Sequence, residues 1–594
     1  MDAPKPLSKS AESSVSELYI GTRVKNSSEL TSLGTEETDL VPRVTGRRRF
    51  LIPLKAISTR VGLFILSILL VLKPSFIHAW GSSSRNSIPT SPLRPTAYLD
   101  GLRGVAALLV YFDHFGVSWF PALMNTYGAS ETDHYFLQLP IFRNLFNGKG
   151  AVAIFFVVSG YALSYGALSK IHAEKKSEVL DTLSSSVFRR CARLYIPCGV
   201  NAFIAMIMSY NDMFRPDSLR RHNLPPKLPT FSAQIKDYIQ NQGVLMYPFN
   251  AVEGEPYGPP YNGHQWTIPL EIRGSWVIFG TVLAAAKLTP FWRLIFIIFW
   301  DGYLWYMGKW DLFLFVTGVL LSNLDIPKHL VRKNILVAEE SLPVEVPRIK
   351  SESLTSVEES SPDTQYHTRA HVISSKAGKV LSPIWRIVRP IVPYIMFILG
   401  FYLLSAPHLT SGLPVLYKFV PGRFQNIADF YGKKDGAIRC VGAVFIAFSL
   451  SLSPPQVRSV QTSLSTASLP LHHRIMTSIC SFTLQSLFTN AFSQYLGRIS
   501  FGLYLMHGPI VISLGSYFLN PAWARYNETQ DNAAFNKTFC LAWFSVTIVV
   551  FWTADIFTRV VDERSVKWVG AVARFMSRKK KAGDRGTIWG SLHF

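Results

Sequence analysis

The chain has 594 residues, of which 48% are hydrophobic and only 16% are charged, whereas a soluble domain normally has about 25% charged residues. This composition excludes an ordinary soluble protein and favours an integral membrane protein. The formal net charge of +22 would also suit a nucleic-acid partner. However, the basic residues lie in loops between long apolar runs, where the positive-inside rule accounts for them. We therefore predict a lipid bilayer as the environment and no nucleic-acid partner.

The chain begins with a polar segment. Residues 1–60 are rich in Ser, Thr, Glu and Lys without an apolar period, which is typical of a disordered tail, and no N-terminal signal peptide is recognisable. Val61–Leu72 is apolar but shorter than the roughly 20 residues needed to cross a bilayer. We predict an interfacial helix there, with a tilted span as the alternative, and a Ser/Pro linker up to residue 95.

Ten apolar segments follow, and they predict an all-α integral membrane protein with about ten transmembrane helices. The segments lie near residues 101–120, 150–169, 194–212, 268–287, 290–307, 309–324, 388–406, 437–453, 496–518 and 539–558. Residues 326–385 are predicted to form a polar insert, and residues 566–594 a basic tail. The membrane domain is therefore expected to cover residues 96–565.

The charges of the loops predict the orientation, because cytoplasmic loops are enriched in Lys and Arg. Basic clusters precede the first span and flank the loop between the second and third spans. Both termini and the insert 326–385 are therefore expected in the cytoplasm, with the protein in the endoplasmic reticulum or plasma membrane. Glycosylation sequons begin at Asn527 and Asn536, in a loop that this orientation places on the outer side, where such sites are used.

The first predicted span contains two side chains that a bilayer disfavours, Arg103 and His114. Eleven helical steps of 100° come to three turns plus about 20°, so both lie on one face, roughly 16 Å apart along the axis. A charged residue inside a membrane costs about 2.5–3.5 kcal/mol by insertion scales, and such residues usually line a cavity. The alternative is an arginine that extends to the helix end and a histidine bonded to a neighbouring helix.

Two local expectations concern the fourth span. Phe214–Gln265 is predicted to be a long outer segment that forms either an acceptor entrance or a structured lid. Glu271 lies just inside the membrane and needs a partner, for which Arg273 or a cavity is expected.

Four motifs occur in a characteristic order. They are Asp-Gly-Leu-Arg-x10-His (100–114), Gly-Ala-Val-Ala-Ile-Phe-Phe-Val-Val-Ser-Gly-Tyr (150–161), Trp-Thr-Ile-Pro-Leu-Glu (266–271) and Ser-Phe-Gly-Leu-Tyr-Leu-Met-His (500–507). Together they resemble the first helix, the second helix, the Trp-Thr-Leu-x-x-Glu element and the Ser-Tyr-x-x-Tyr-Leu-x-His element of the membrane-bound acyltransferase 3 family. The sequence departs from the family at Phe501, which loses one hydroxyl group.

The resemblance implies a membrane-bound O-acyltransferase that moves an acyl group, most simply acetyl, from acyl-coenzyme A to a hydroxyl of a lipid, carbohydrate or secondary metabolite. It implies that His114 activates the acceptor alcohol and that Glu271 and His507 are further catalytic candidates. Guanidinium groups suit the phosphates of the donor, because arginine binds phosphate through two parallel hydrogen bonds. The predicted donor-binding residues are Arg103, Arg189, Arg190 and Arg193.

The sequence leaves two other functions open. A transporter would use the same intramembrane charges to bind an ion or solute, although no inverted repeat is visible. A non-catalytic membrane scaffold or receptor on the same fold is the second alternative. No metal site and no permanently bound cofactor are predicted, because the five cysteines form no Cys-x-x-Cys pair and His472 and His473 have no carboxylate at ligand spacing. The sequence indicates no particular oligomeric state.

Overall fold

The computed structural model describes residues 74–75, 93–125, 127–128, 130–131, 133–215, 224–249, 257–341, 390–406, 433–453 and 483–577, with side chains left out at 331–341 and 433–435. All of them belong to one compact unit, residues 68–594. The predictions for residues 1–60, for Val61–Leu72, for the linker before residue 93, for 342–385 of the insert and for 578–594 of the tail lie outside the described residues.

Within these ranges the chain is helical and contains no strand. We label the helices longer than one turn α1 to α13. They are α1 Ala97–Trp119, α2 Gly148–His172, α3 Ser177–Tyr210, α4 Phe231–Leu245, α5 Thr267–Ala285, α6 Pro290–Tyr306, α7 Trp310–Ser341, α8 Val392–Leu404, α9 Lys433–Leu452, α10 Ala491–Ile510, α11 Ser516–Thr529, α12 Asn532–Phe557 and α13 Glu563–Ser577. Two short π-helical segments, Val511–Gly515 and Thr558–Asp562, join α10 to α11 and α12 to α13.

Each of the ten predicted spans coincides with a helix, namely α1–α3, α5–α10 and α12. Six helical segments among the described residues are long and apolar enough to cross a membrane, which makes the chain an integral membrane protein. They are Gly148–His172, Ser177–Tyr210, Gly263–Ala285, Trp310–Leu330, Ala491–Thr529 and Asn532–Met576. Helix α1 is not among them, because Asp100, Arg103 and Asp113 lower its hydropathy. The full count of ten spans stays a prediction.

The directions of three helices can be compared from their contacts. Helices α1 and α10 run parallel, since Gly104 lies against Gly497 near the start of both helices and the ring of His114 contacts that of His507 near their ends. Helix α12 runs opposite to α1, with Tyr111 bonded to Thr547 at 2.8 Å and Phe120 against Phe535. These directions are those that a chain crossing the membrane back and forth would give to its first, ninth and tenth spans.

Helices α2 and α7 approach so closely that their backbones touch. A Cβ atom on Gly160 would overlap the carbonyl group of Phe315, and one on Gly318 would overlap the backbone of Val157. On α2 the hydroxyl of Ser164 donates to the carbonyl of Gly160 at 2.8 Å. The small residues Gly160 and Ser164 therefore serve packing, as their spacing of four predicts.

We expect Gly160→Ala to destabilise the protein, because the added methyl group would meet backbone atoms that no side-chain rotation can move. Overpacking of this kind costs about 1–3 kcal/mol, and sometimes more. Gly166 on the same helix is the matched control, since no atom lies within 4 Å of its Cβ position. Thermal unfolding in detergent should therefore show a lower melting temperature for Gly160→Ala but not for Gly166→Ala. Equal melting temperatures for the two variants would contradict the close crossing.

Three helices extend beyond the segments that hydropathy predicts. Helix α3 begins at Ser177 rather than near 194, α7 continues through residues 326–341 of the predicted polar insert, and α13 crosses the predicted boundary between the membrane domain and the tail at residue 565. The physical reason is that an apolar window detects only the part of a helix that is rich in hydrophobic residues. Polar turns that extend the helix beyond its hydrophobic part are not detected by an apolar window.

The segment predicted as an outer entrance or lid contains helix α4, which packs along α3. The hydroxyl of Tyr238 donates to the carbonyl of Gly199 at 3.0 Å, and that of Tyr195 donates to the carbonyl of Met246 at 2.9 Å. The hydroxyl of Tyr261 donates to the Asp237 carboxylate at 2.7 Å. The described parts of the segment are thus held by side-chain hydrogen bonds, and the histidine described below lies near its end. Both alternatives, an acceptor entrance and a structured lid, stay predictions.

Candidate active site

Three histidine rings meet where α1, α10 and the start of α5 converge. The ring centroids of His114 and His264 lie 3.9 Å apart, those of His264 and His507 lie 4.6 Å apart, and those of His114 and His507 lie 5.3 Å apart. His507 is fully buried, His264 is 9% exposed and His114 is partly exposed. We call these three residues the histidine cluster. The structure thus unites two predicted site residues, His114 and His507, with His264, which was not predicted as a site residue.

The orientation of His507 is fixed by its own helix. Its Nδ1 lies 3.0 Å from the carbonyl oxygen of Leu503. A carbonyl oxygen can only accept, so Nδ1 carries the hydrogen and Nε2 of the neutral ring keeps its lone pair. A hydrogen bond of this kind fixes both the ring orientation and the tautomer.

Tyr504 holds the segment that carries His264. Its hydroxyl donates to the backbone carbonyl of His264 and lies 2.7 Å from the hydroxyl oxygen of Thr267. Because the single phenolic hydrogen goes to the carbonyl, the Thr267 hydroxyl is the donor to Tyr504. Tyr504 therefore positions a histidine of the cluster.

Buried amide side chains anchor the same segment to α3 and α10. Asn262 donates to the side-chain oxygen of Asn201 at 2.7 Å and to the carbonyl of Leu505 at 2.9 Å, and Gln265 donates to the same oxygen of Asn201 at 2.9 Å. Buried networks of this kind make a local structure rigid when their members are paired. A sequence signal for His264 exists in hindsight, because Asn262 and Gln265 place amide groups on both sides of it immediately before a span.

Arg103 lies at the other end of the α1 face that carries His114. Its Nε donates to the hydroxyl of Ser500 at 3.0 Å and its Nη2 to the carbonyl of Gly497 at 2.9 Å, both on α10. The side chain keeps 35% of its surface exposed and lies 4.0 Å from Asp100. Arg103 is thus held in place by α10 while part of its guanidinium group stays accessible.

Glu271 pairs with Arg190 and not with Arg273. The Glu271 carboxylate lies 2.9 Å from Nη2 of Arg190, and the two side chains are only 18% and 13% exposed. The Nε of Arg190 also donates to Ser275 at 2.9 Å. Arg273 forms its own ion pair with Asp311 at 2.5 Å. The expectation that Arg273 neutralises Glu271 is therefore wrong, because Arg190 of the neighbouring helix α3 forms the ion pair with Glu271.

A second polar group, which we call the arginine cluster, surrounds this pair. The charges of its members act on one another. The cluster comprises three guanidinium groups and three carboxylates: Arg103, Arg190, Arg193, Asp100, Glu271 and Asp562. The formal charges of the six groups balance. Arg189 does not belong to this cluster, since it is exposed and donates to the carbonyl of Ser185 on its own helix. Asp562 was not predicted, because it follows the last apolar run in sequence.

The histidine cluster also has the spacing of a metal-ligand set. One ring nitrogen from each of the three residues lies within 4.8 Å of the others, and the described residues contain no second group of this kind. Three imidazoles are a ligand set that Zn²⁺ accepts, with a fourth position left for water or substrate. Metal analysis of the purified protein would show whether the cluster is used in this way.

Comparison with known proteins identifies the class of this site. Residues 96–338 match the model of an acyltransferase domain, a range that includes His114, His264 and Glu271. This match supports the acyltransferase 3 family that the motifs predict, and it supports a transferase enzyme.

Curated relatives extend the similarity over most of the chain. O-acetyltransferase PaAT-1 from Phomopsis amygdali is 28% identical over 539 residues, which cover 86% of this chain and 90% of that protein. Acyltransferase R4 from a Phoma species is 23% identical over 532 residues, which cover 82% of this chain and 97% of that protein. Acyltransferase clz18 from Cochliobolus lunatus is 23% identical over 552 residues, which cover 83% of this chain and 99% of that protein. No solved structure matches the chain.

We expect Gly508→Ala to lower the rate of acyl transfer, because a Cβ atom at this position would overlap the ring of His264. A displacement of about 1 Å in an active site can reduce the rate roughly 10²-fold. Gly515→Ala is the matched control, since its Cβ position lies 3.4 Å from the nearest atom, which belongs to Phe115. The two variants should be compared by transfer rate and melting temperature. A fully active Gly508→Ala protein would remove His264 from the site.

Proposed function

We propose that the chain is an O-acyltransferase that moves an acyl group, most simply acetyl, from acyl-coenzyme A to a hydroxyl of a lipid, carbohydrate or secondary metabolite. The observation that carries this proposal is the meeting of His114, His264 and His507, which come from three separate elements. The acetyl group is further supported by the O-acetyltransferase among the relatives.

In the proposed reaction, His114 acts as the general base. It is the most exposed member of the histidine cluster, so an acceptor hydroxyl can reach it. The imidazole takes the hydroxyl proton, the acceptor oxygen bonds to the thioester carbonyl carbon, and the carbon–sulfur bond then breaks. The coenzyme A thiolate leaves and receives the proton from the imidazolium group. The products are the acyl ester and free coenzyme A.

The arginine cluster is proposed to bind the phosphates of the donor. Arg103 keeps part of its guanidinium group accessible, and the cluster brings three guanidinium groups together. Roughly 16 Å along α1 separates Arg103 from His114, which suits a donor whose phosphates and thioester are joined by a long extended arm. Glu271 was predicted as a catalytic residue, and we propose that it acts here by holding Arg190.

The proposed orientation places the arginine cluster on the cytoplasmic side. Ten spans, cytoplasmic termini and residence in the endoplasmic reticulum or plasma membrane complete this proposal. It is supported by the directions of α1, α10 and α12. The sequons support it too, since Asn527 and Asn536 are exposed and lie at the ends of α11 and α12 that are remote from Arg103.

The direct test is acyl transfer by the purified protein in lipid vesicles. Radiolabelled acetyl-coenzyme A should be hydrolysed slowly by the protein alone and should pass its label to a hydroxyl-bearing extract from the host membrane. Solute uptake by the vesicles without any loss of acetyl-coenzyme A would favour the transporter alternative instead.

We expect Arg103→Ala to weaken donor binding by about 1.5–3 kcal/mol, the usual value of a hydrogen bond to a charged group. Dephosphorylated donor analogues should lose less affinity than acyl-coenzyme A. Isothermal titration with both ligands measures the difference, and Ser500→Ala is the control, because it removes a contact of Arg103 but leaves its charge. An equal loss for donor and analogue would mean that Arg103 is structural.

A further inference from the structure

We propose that α13 binds the negatively charged headgroups of anionic phospholipids at the membrane surface. This proposal concerns a surface outside the histidine cluster and does not depend on acyl transfer.

Only one side of α13 is covered by protein. Helix α13 packs on α3, and Ser565 and Val569 are buried there at 6% and 2% exposure. The aromatic side chains of Trp568 and Phe575 remain 51% and 45% exposed. Aromatic residues with this exposure in a membrane protein are typical of the zone where hydrocarbon meets the lipid headgroups.

The exposed surface of α13 includes two parallel stripes. The dipeptides Lys567-Trp568 and Arg574-Phe575 are seven residues apart, which is two helical turns less about 20°. The two aromatic residues therefore lie on one line along the helix, and the two basic residues lie on another line about 100° around the axis. A helix with adjacent apolar and basic stripes matches a lipid surface, which offers hydrocarbon and headgroups side by side.

The charge of this region indicates which lipids would bind. Arg564 adds a further exposed basic side chain to the helix, and the sequence continues with Arg578-Lys579-Lys580-Lys581. Asp562, directly before α13, interacts with Arg103 and Arg193, so α13 begins at the end of the bundle that carries the arginine cluster. Basic residues next to a membrane attract anionic lipids, and the attraction increases with each Lys or Arg.

The test uses the full-length protein purified in detergent and mixed with phosphatidylserine and phosphatidylcholine in equal amounts. Native mass spectrometry then counts the lipids of each kind that stay bound. We expect the unmodified protein to retain phosphatidylserine preferentially. The double variant Arg564→Glu/Lys567→Glu should lower this preference by roughly fivefold or more for each charge.

Lys287→Glu is the matched control, because Lys287 is an exposed basic residue in the loop after α5 and lies outside α13. It should leave the preference unchanged. Retention of both lipids in equal amounts by the unmodified protein would overturn the proposal, and so would an equal loss in Lys287→Glu. A change from dimer to monomer in Trp568→Ser, with the lipid preference intact, would also overturn it, because α13 would then be an interface between two copies of the chain.

Discussion

His114→Gln should lower the rate of acyl transfer by roughly 10²–10⁴-fold, the contribution typical of a general base. Glutamine keeps a polar group of similar size, but it cannot take a proton from the acceptor hydroxyl. His114→Ala should be equally inactive. The measurement is the initial transfer rate at saturating donor and acceptor, made on protein that elutes as a single species after purification.

Two controls separate chemistry from folding. Donor affinity should survive in His114→Gln, because the arginine cluster lies about three helical turns away from His114. His134→Gln changes an exposed histidine in the loop between α1 and α2 that is not part of the histidine cluster, and it should transfer normally. Near-normal transfer by a well-folded His114→Gln protein would exclude the histidine as the base, and His264 and His507 would be the next candidates.

Glu271→Ala should destabilise the protein strongly, because it leaves the guanidinium group of Arg190 largely buried without its carboxylate partner. Breaking a buried ion pair on one side costs about 3–5 kcal/mol, whereas replacing both partners by apolar residues of similar size is often neutral. The double variant Arg190→Met/Glu271→Met should therefore recover most of the lost stability. Thermal unfolding of the single and double variants measures both effects.

The same double variant tests what Glu271 does in the reaction. If Glu271 only holds Arg190, the folded double variant should bind the donor more weakly but should transfer at a near-normal rate once the donor is saturating. A stable double variant that transfers no acyl group at any donor concentration would mean that Glu271 is a catalytic residue. A Glu271→Ala protein as stable as the unmodified one would contradict the importance of the ion pair.

The sequence predicted the parts of the site that lie on one regular helix. Arg103 and His114 share a face because helical geometry alone determines their relation, and the apolar runs locate the helices that carry His507 and Glu271. It did not predict which residues from different helices meet. The pairing of Glu271 with Arg190 depends on how α3 and α5 pack, and apolar periodicity carries no information about that contact.

His264 illustrates a second kind of omission. It lies in a one-turn segment before α5 that has neither an apolar period nor a charge to mark it. Its backbone N–H donates to the side-chain oxygen of Asn262, and its carbonyl accepts from the Tyr504 hydroxyl. Such a segment resembles an ordinary loop in sequence. Helix α4 was not predicted as a helix for the same reason, since it is largely polar, and the hydroxyl of its Tyr238 bonds to the backbone of α3.

The contacts of Arg103 also constrain how the protein is made. The groups that accept its hydrogen bonds, Ser500 and Gly497, lie on α10, and the third member of the histidine cluster, His507, is on the same helix. At a synthesis rate of about 5–20 residues per second, α1 leaves the ribosome roughly 20–80 s before α10 does. During this interval α1 must carry a guanidinium group whose hydrogen-bond acceptors have not yet been synthesised. A premature stop anywhere before α10 would therefore abolish activity, and it would also leave a nascent chain that the membrane quality-control machinery can recognise.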